Sequence, residues 1–253
     1  MCPDRIQSSY LLEVCAADLP SVRAALEGGA HRVELCSGLA EGGVTPSIGL
    51  LMEAMKISAV PVRVLVRARP GDFTWSPHET EAMCLDIRMM CERGAKGFVL
   101  GALTPEGDVD MDVMRRMLEA AGNLPWTFHR AFDFCRDPLN ALEEIIRLGA
   151  DTILTSGGAV SALDGASLLN SLVLAAGNRI QIMAGGGISP DNIKEIRIKT
   201  GCNAFHLSGR SALPNHLVPS GGAALNAPGL HSDYVHKVTD TEIIGKVISL
   251  LNT

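Results

Sequence analysis

Chemistry is concentrated in the stretch Thr127-Phe128-His129-Arg130-Ala131-Phe132-Asp133, a short apolar run entered at Pro125-Trp126 that ends in an imidazole, a guanidinium and a carboxylate. An imidazole beside a carboxylate can move protons, and a guanidinium can hold an anion while it does so. The plainer alternative is an ion-pair network capping a strand, which at a surface contributes little. Two other runs invite a metal: Glu13-Val14-Cys15 and Glu34-Leu35-Cys36 repeat one order of charge, apolar residue and thiol. On a strand the Glu and Cys of each run share a face. Neighbouring parallel strands lie about 4.8 Å apart, so the two thiols can approach each other and hold a soft ion such as copper(I). Their alternative fate is that of small buried hydrophobes.

A buried carboxylate needs a cation. For Glu13 and Glu34 the expected partners are Arg67 and Arg69, in either a structural salt-bridge layer or a substrate site, with Asp72 on the loop after Pro70-Gly71 reaching the same mouth. A third set follows later in the chain. Gly185-Gly186-Gly187 and His206-Leu207-Ser208-Gly209-Arg210, helped by the hydroxyls of Thr155 and Ser156, have the composition of an oxyanion or phosphate pocket, where successive backbone N–H groups turn toward the ligand.

Such groups act together only if something brings them to one place. Short apolar runs alternate with longer segments of helical period eight times along the chain. The predicted strands are 11–15, 32–36, 62–66, 97–100, 126–129, 152–155, 181–184 and 204–208, and the last helix covers 241–251. Helix starts are expected at Thr45-Pro46, Ser76-Pro77, Asp137-Pro138 and Ser189-Pro190, and capping-box spacings at Ser76/Glu79 and Thr239/Glu242. Gly29-Ala30, Gly94-Ala95, Gly149-Ala150 and Gly201-Cys202 close helices before the even strands. Eight βα units in 253 residues predict one α/β domain, a (β/α)₈ TIM barrel, rather than a doubly wound sheet. Its ligands belong at the carboxyl ends of the strands. Residues 1–9 are expected as a tail, and 210–237, rich in Pro and Gly, as a long irregular loop at the barrel mouth.

Bulk composition narrows the partners. A net charge of −6 argues against nucleic acid and anionic membranes, and 47% hydrophobic with 20% charged residues is ordinary for a soluble globular chain. Neither a signal peptide nor a membrane-length apolar run is seen, so a cytoplasmic location is expected. Seven cysteines at scattered spacings suit reduced thiols, with Cys84 and Cys91 on the apolar stripe of a helix. His78, His216, His231 and His236 fall in polar or loop sequence without metal-ligand spacing.

Taken together, these motifs resemble the CutC family, proteins named for copper homeostasis. The resemblance runs from Leu12 to about Thr241. It rests on Glu13-Val14-Cys15, Arg32-Val33-Glu34-Leu35-Cys36-Ser37-Gly38-Leu39, Glu41-Gly42-Gly43, Thr45-Pro46-Ser47, Gly71-Asp72-Phe73, the stretch 127–133, Leu154-Thr155-Ser156-Gly157, Gly185-Gly186-Gly187-Ile188 and Phe205-His206. It implies a cytosolic TIM barrel, self-associating as a dimer or tetramer, with Cys15 and Cys36 as copper(I) ligands. Two departures from the family pattern stand out: Arg67-Ala68-Arg69-Pro70-Gly71 replaces an arginine–proline–arginine–glycine–glycine run, and a tyrosine–arginine–asparagine run is missing after Arg210.

The leading expectation is therefore a copper-homeostasis protein. The rival is a metal-independent enzyme on a small anionic or phosphorylated metabolite, with His129 as general acid/base, Glu13, Glu34 or Asp133 as its carboxylate partner, and Arg67, Arg69, Arg130 and the glycine loop holding the anion. A non-catalytic scaffold, whose charges only brace the barrel, is the third.

Overall fold

The structure, a computed structural model, describes residues 10–214 and 235–253. The expected tail and the middle of the late loop lie outside the described residues. Strand and helix alternate: β1 (Leu11–Ala16), α1 (Leu19–Glu27), β2 (Arg32–Leu35), α2 (Ile48–Ile57), β3 (Val62–Leu65), α3 (Pro77–Glu92), β4 (Phe98–Leu100), α4 (Met111–Ala121), β5 (Trp126–Phe128), α5 (Pro138–Arg147), β6 (Thr152–Thr155), α6 (Ala166–Ala176), β7 (Gln181–Gly185), α7 (Ile193–Thr200) and β8 (Ala204–Leu207). The eight strands close in sequence order into a parallel barrel, each predicted strand appearing within one residue of its expected bounds.

Side-chain alternation sorts these strands into two cores. Leu12, Val14, Val33, Leu35, Val64, Phe98, Phe128, Ile153 and Phe205 point outward and pack with the helices. Their neighbours in sequence point inward. Cys15, Cys36, Leu65 and Val99 form one small interior cluster, and Leu154, Met183 and Ala204 another. The register sets Glu13 opposite Arg32 on one side and His206 on the other, and Glu34 opposite Cys15 and Arg63. Polar groups thus occupy the middle of the barrel. At its amino end, Arg63 is bound to Thr127 and to both carboxylate oxygens of Asp151.

Capping follows the expected chemistry in part. Ser76 and Glu79 form a reciprocal capping box on α3, and Asp137 caps α5. The helix closers Gly29 and Gly201 take the left-handed conformation, with φ of +92° and +71°. At Thr45 the expected helix start is replaced by a tertiary contact, because the hydroxyl accepts from Arg67 N–H and donates to Arg67 O; α2 begins at Ile48, capped by Ser47. Ser189 is engaged in a turn with Asn192, which delays α7 to Ile193.

The late loop also differs from expectation. Its two ends pair as an antiparallel ribbon, β9 (Arg210–Pro214) with β10 (Val235–Thr239), so the backbone groups of its stems bond to each other. Thr239 therefore ends a strand, its hydroxyl donating to Ser208 O, and Asp240 caps the final helix, α8 (Thr241–Leu251). No helix among the described residues is long and apolar enough to cross a membrane.

Candidate functional site

Three inward side chains form the floor of the site. Glu13, fully buried, accepts from Arg32 Nε, and its other oxygen lies 2.8 Å from His206 Nδ1. Burial pushes the Glu13 carboxyl up, but Arg32 and His206 outweigh it and hold the pKa down at about 2. For His206 burial works downward, and Glu34 and Glu13 overcome it, so its pKa is raised. The cation that answers Glu13 is thus Arg32, not Arg67 or Arg69. Period two could have found it, since Arg32 and Glu34 are two residues apart on one strand.

Beside this triad stand the thiols. Cys15 Sγ lies 3.5 Å from Cys36 Sγ and donates to Glu34 Oε1 at 3.3 Å. The contact with Cys36, burial and the charge of Glu34 all raise the Cys15 pKa, and burial raises that of Glu34. One ligand atom from each of Cys15, Glu34 and His206 lies within 4.8 Å of the others, a grouping that could hold a metal ion.

Above the floor opens a cavity of about 310 Å³, lined by Cys15, Glu34 and His206 below and by Arg67, His129, Arg130, Gly186, Gly187, Ser208 and Arg210 toward the mouth. This is the carboxyl end of the strands, where barrel enzymes place their sites. Strict alternation would send His129 and Arg130 to opposite faces. The strand has already ended at Phe128, and a 3₁₀ turn, Arg130–Phe134, lets both line the cavity. His129 Nδ1 accepts from Ala131 N–H at 3.1 Å. Burial, helped by Arg67, lowers its pKa to about 3, so the ring is neutral with its hydrogen on Nε2. The group expected to act as general acid/base is in this geometry a hydrogen-bond donor.

Arg67 is held by the carbonyls of Glu41, Gly43 and Gly71 and stacks at 4.9 Å on the ring of Phe73, which also lies 4.9 Å from the His129 ring. Gly101 also lies against His129: a Cβ there would stand 2.3 Å from the imidazole. From sequence Phe73 enters only as part of the Gly71-Asp72-Phe73 motif, with no role at the site, and Gly101 is not singled out, because its need appears only with its neighbour in place.

Other candidates are brought elsewhere. Arg69 bonds Glu79, Asp72 and Thr74 O and lies over Trp75, bracing the loop before α3, and Asp72 is exposed beside it. Asp133 is a clamp: it accepts from Thr155 and Ser156 hydroxyls, from the N–H groups of Ser156 and Gly158, and from Arg130 Nε at 2.7 Å. Thr155 and Ser156 are engaged with Asp133 and lie outside the cavity lining, as does Gly185, whose position a Cβ would fill against Leu154.

A closed (β/α)₈ barrel with a thiol, carboxylate and imidazole floor beneath a cationic mouth defines the class. The CutC family model matches residues 10–211, and the chain belongs to the CutC family. A family protein CutC of Xylella fastidiosa is 44% identical over 241 residues, 95% of this chain and 88% of that protein. The copper homeostasis protein cutC homolog of Mus musculus is 43% identical over 92% of this chain and 86% of its own length. The solved structure of CutC from Streptococcus agalactiae has a TM-score of 0.76 at 33% identity, covering 79% of this chain and 98% of that one. An aldolase, QR15, shares the barrel alone, with a TM-score of 0.59 at 17% identity, over 81% of this chain and 92% of its own.

Proposed function

We propose that this chain takes part in copper homeostasis by binding copper(I) as cargo between Cys15 and Cys36, with His206 supplying a third donor. The observation that carries the reading is the 3.5 Å approach of the two sulfurs beside the Cys15–Glu34–His206 cluster. Two thiols and an imidazole are soft to borderline ligands, the set that copper(I) prefers over hard cations. The thiolate is the binding form, so loading releases protons and weakens as pH falls. Glu34, in contact with Cys15 Sγ, is placed to receive such a proton. The family membership and the name of the mouse relative support the same reading.

An anaerobic copper(I) titration against a competing chelator tests it. One ion per chain is expected in the wild type, and none held in competition by the Cys15→Ser, Cys36→Ser double variant. Unchanged stoichiometry in that variant would refute the reading.

A further inference from the structure

Four buried side-chain polar atoms have no partner among the described residues, and three of them, Arg67 Nε, His129 Nε2 and Glu34 Oε2, belong to residues lining the one cavity. Buried polar groups are nearly always paired, and a set left open together marks a place where something else completes them. The first two are donors by construction. A guanidinium nitrogen cannot accept, and His129 Nδ1 already accepts from Ala131 N–H, so the ring hydrogen sits on Nε2. Both groups pack on Phe73, each 4.9 Å from its ring, and their residues line the same cavity. Arg67, only 7% exposed, has its terminal nitrogens bound to neutral carbonyls, which leave its positive charge in place.

We propose that the mouth of this cavity is a receptor for a small hydroxylated organic oxyanion, its carboxylate or phosphate head accepting from Arg67 Nε–H and His129 Nε2–H and its hydroxyl meeting Glu34 on the floor. Two unpartnered donors from residues lining one cavity, one of them carrying a fixed positive charge, suit an oxyanion, and in a partly desolvated pocket such charge-assisted bonds are at their strongest. A hydroxyl suits Glu34 Oε2 because it can donate or accept. The glycine backbone at Gly186 and Gly187 leaves room for the head, and Leu65, Leu154 and Ile188 supply an apolar wall. At about 310 Å³ the cavity is at the small end for metabolite sites. This site sits above the thiol pair, shares Glu34 with it, and predicts binding that does not need copper.

Calorimetric titration of the metal-free full chain with inorganic phosphate, glycolate and acetate tests it. Saturable binding of phosphate or of glycolate is expected, the stronger one identifying the head group, and glycolate should exceed acetate if the hydroxyl reaches Glu34. His129→Phe should weaken that binding by about tenfold to a hundredfold, the loss of one charge-assisted bond. Should His129→Phe not fold, the wild-type His129 Nε2 proton resonance provides the readout, and a shift on adding the anion is expected. The proposal is overturned if neither anion binds saturably, if His129→Phe binds equally well, or if that resonance does not move.

Discussion

Replacing Gly101 by alanine probes the site through its least conspicuous residue. The new Cβ would stand 2.3 Å from His129 Cε1, 2.5 Å from Nδ1 and 3.1 Å from Nε2. Non-bonded carbons rest about 3.5 Å or more apart, so the ring must retreat by roughly 1 Å. The retreat has little room, because His129 is buried and Phe73 packs on its ring at 4.9 Å. Overpacking of this kind costs about 1–3 kcal/mol, and pulling Nδ1 off the buried Ala131 N–H adds about 1–3 kcal/mol. At about 2–4 °C per kcal/mol for a chain of this length, Gly101→Ala should lower Tm by on the order of 5–20 °C in a thermal melt. The decisive measurement is a double-mutant cycle with His129→Ala. Removing the ring removes the obstacle, so the added methyl should then cost little, giving a coupling that approaches the full cost of the single substitution, about 2–6 kcal/mol. Additivity within about 0.5 kcal/mol would show that the methyl meets something other than the imidazole, and the geometry argued for His129 would fall.

Two further outcomes concern charge. Glu13→Gln strips Arg32 and His206 of their carboxylate inside the barrel and should cost about 3–5 kcal/mol in urea unfolding; a loss under 1 kcal/mol would mean that the interior ion pair is not formed. For His129 the folded pKa of about 3 lies below the ordinary 6.5, so below pH 6.5 the unfolded chain takes up a proton that the folded one refuses. Its stabilisation is complete above pH 6.5 and is lost as pH falls toward 3, a slope of about 1.4 kcal/mol per pH unit. Unfolding midpoints measured across that window should fall less steeply in His129→Phe than in the wild type, and parallel curves would show an ordinary, solvated imidazole.

The barrel was legible because short apolar runs alternate with segments of helical period eight times along the chain, and because glycines such as Gly29 and Gly201 mark helix ends by conformation alone. Helix starts were less legible at Thr45 and Ser189, whose hydroxyls look like caps but are engaged in loop contacts instead. The pairing of Glu13 with Arg32 was readable from strand period and passed over in favour of the more prominent Arg67 and Arg69. What sequence could not reveal was the protonation of His129, which depends on a 3₁₀ turn directing one backbone N–H at one ring nitrogen. Nor could it show Arg69 turned aside to Glu79, because both partners lie in a loop whose path follows no period. The stems of the late loop were missed for a similar reason: β9 and β10 find each other across a gap of twenty residues.

Arg63 has a consequence at the other end of the molecule. Bound to Thr127 and Asp151, it fills the amino end of the barrel, and among the described residues the cavity above Cys15 opens at the other end, between Arg67, Arg130 and Arg210. Such a doorway is an electrostatic filter. On the copper(I) reading, the guanidiniums of Arg67 and Arg210 disfavour a bare cation on its way in and favour the same ion wrapped in anionic ligands, while Asp133 offsets the charge of Arg130. Cargo of positive charge is best delivered here already masked, and a guest lodged in the doorway would decide when anything beneath it can leave.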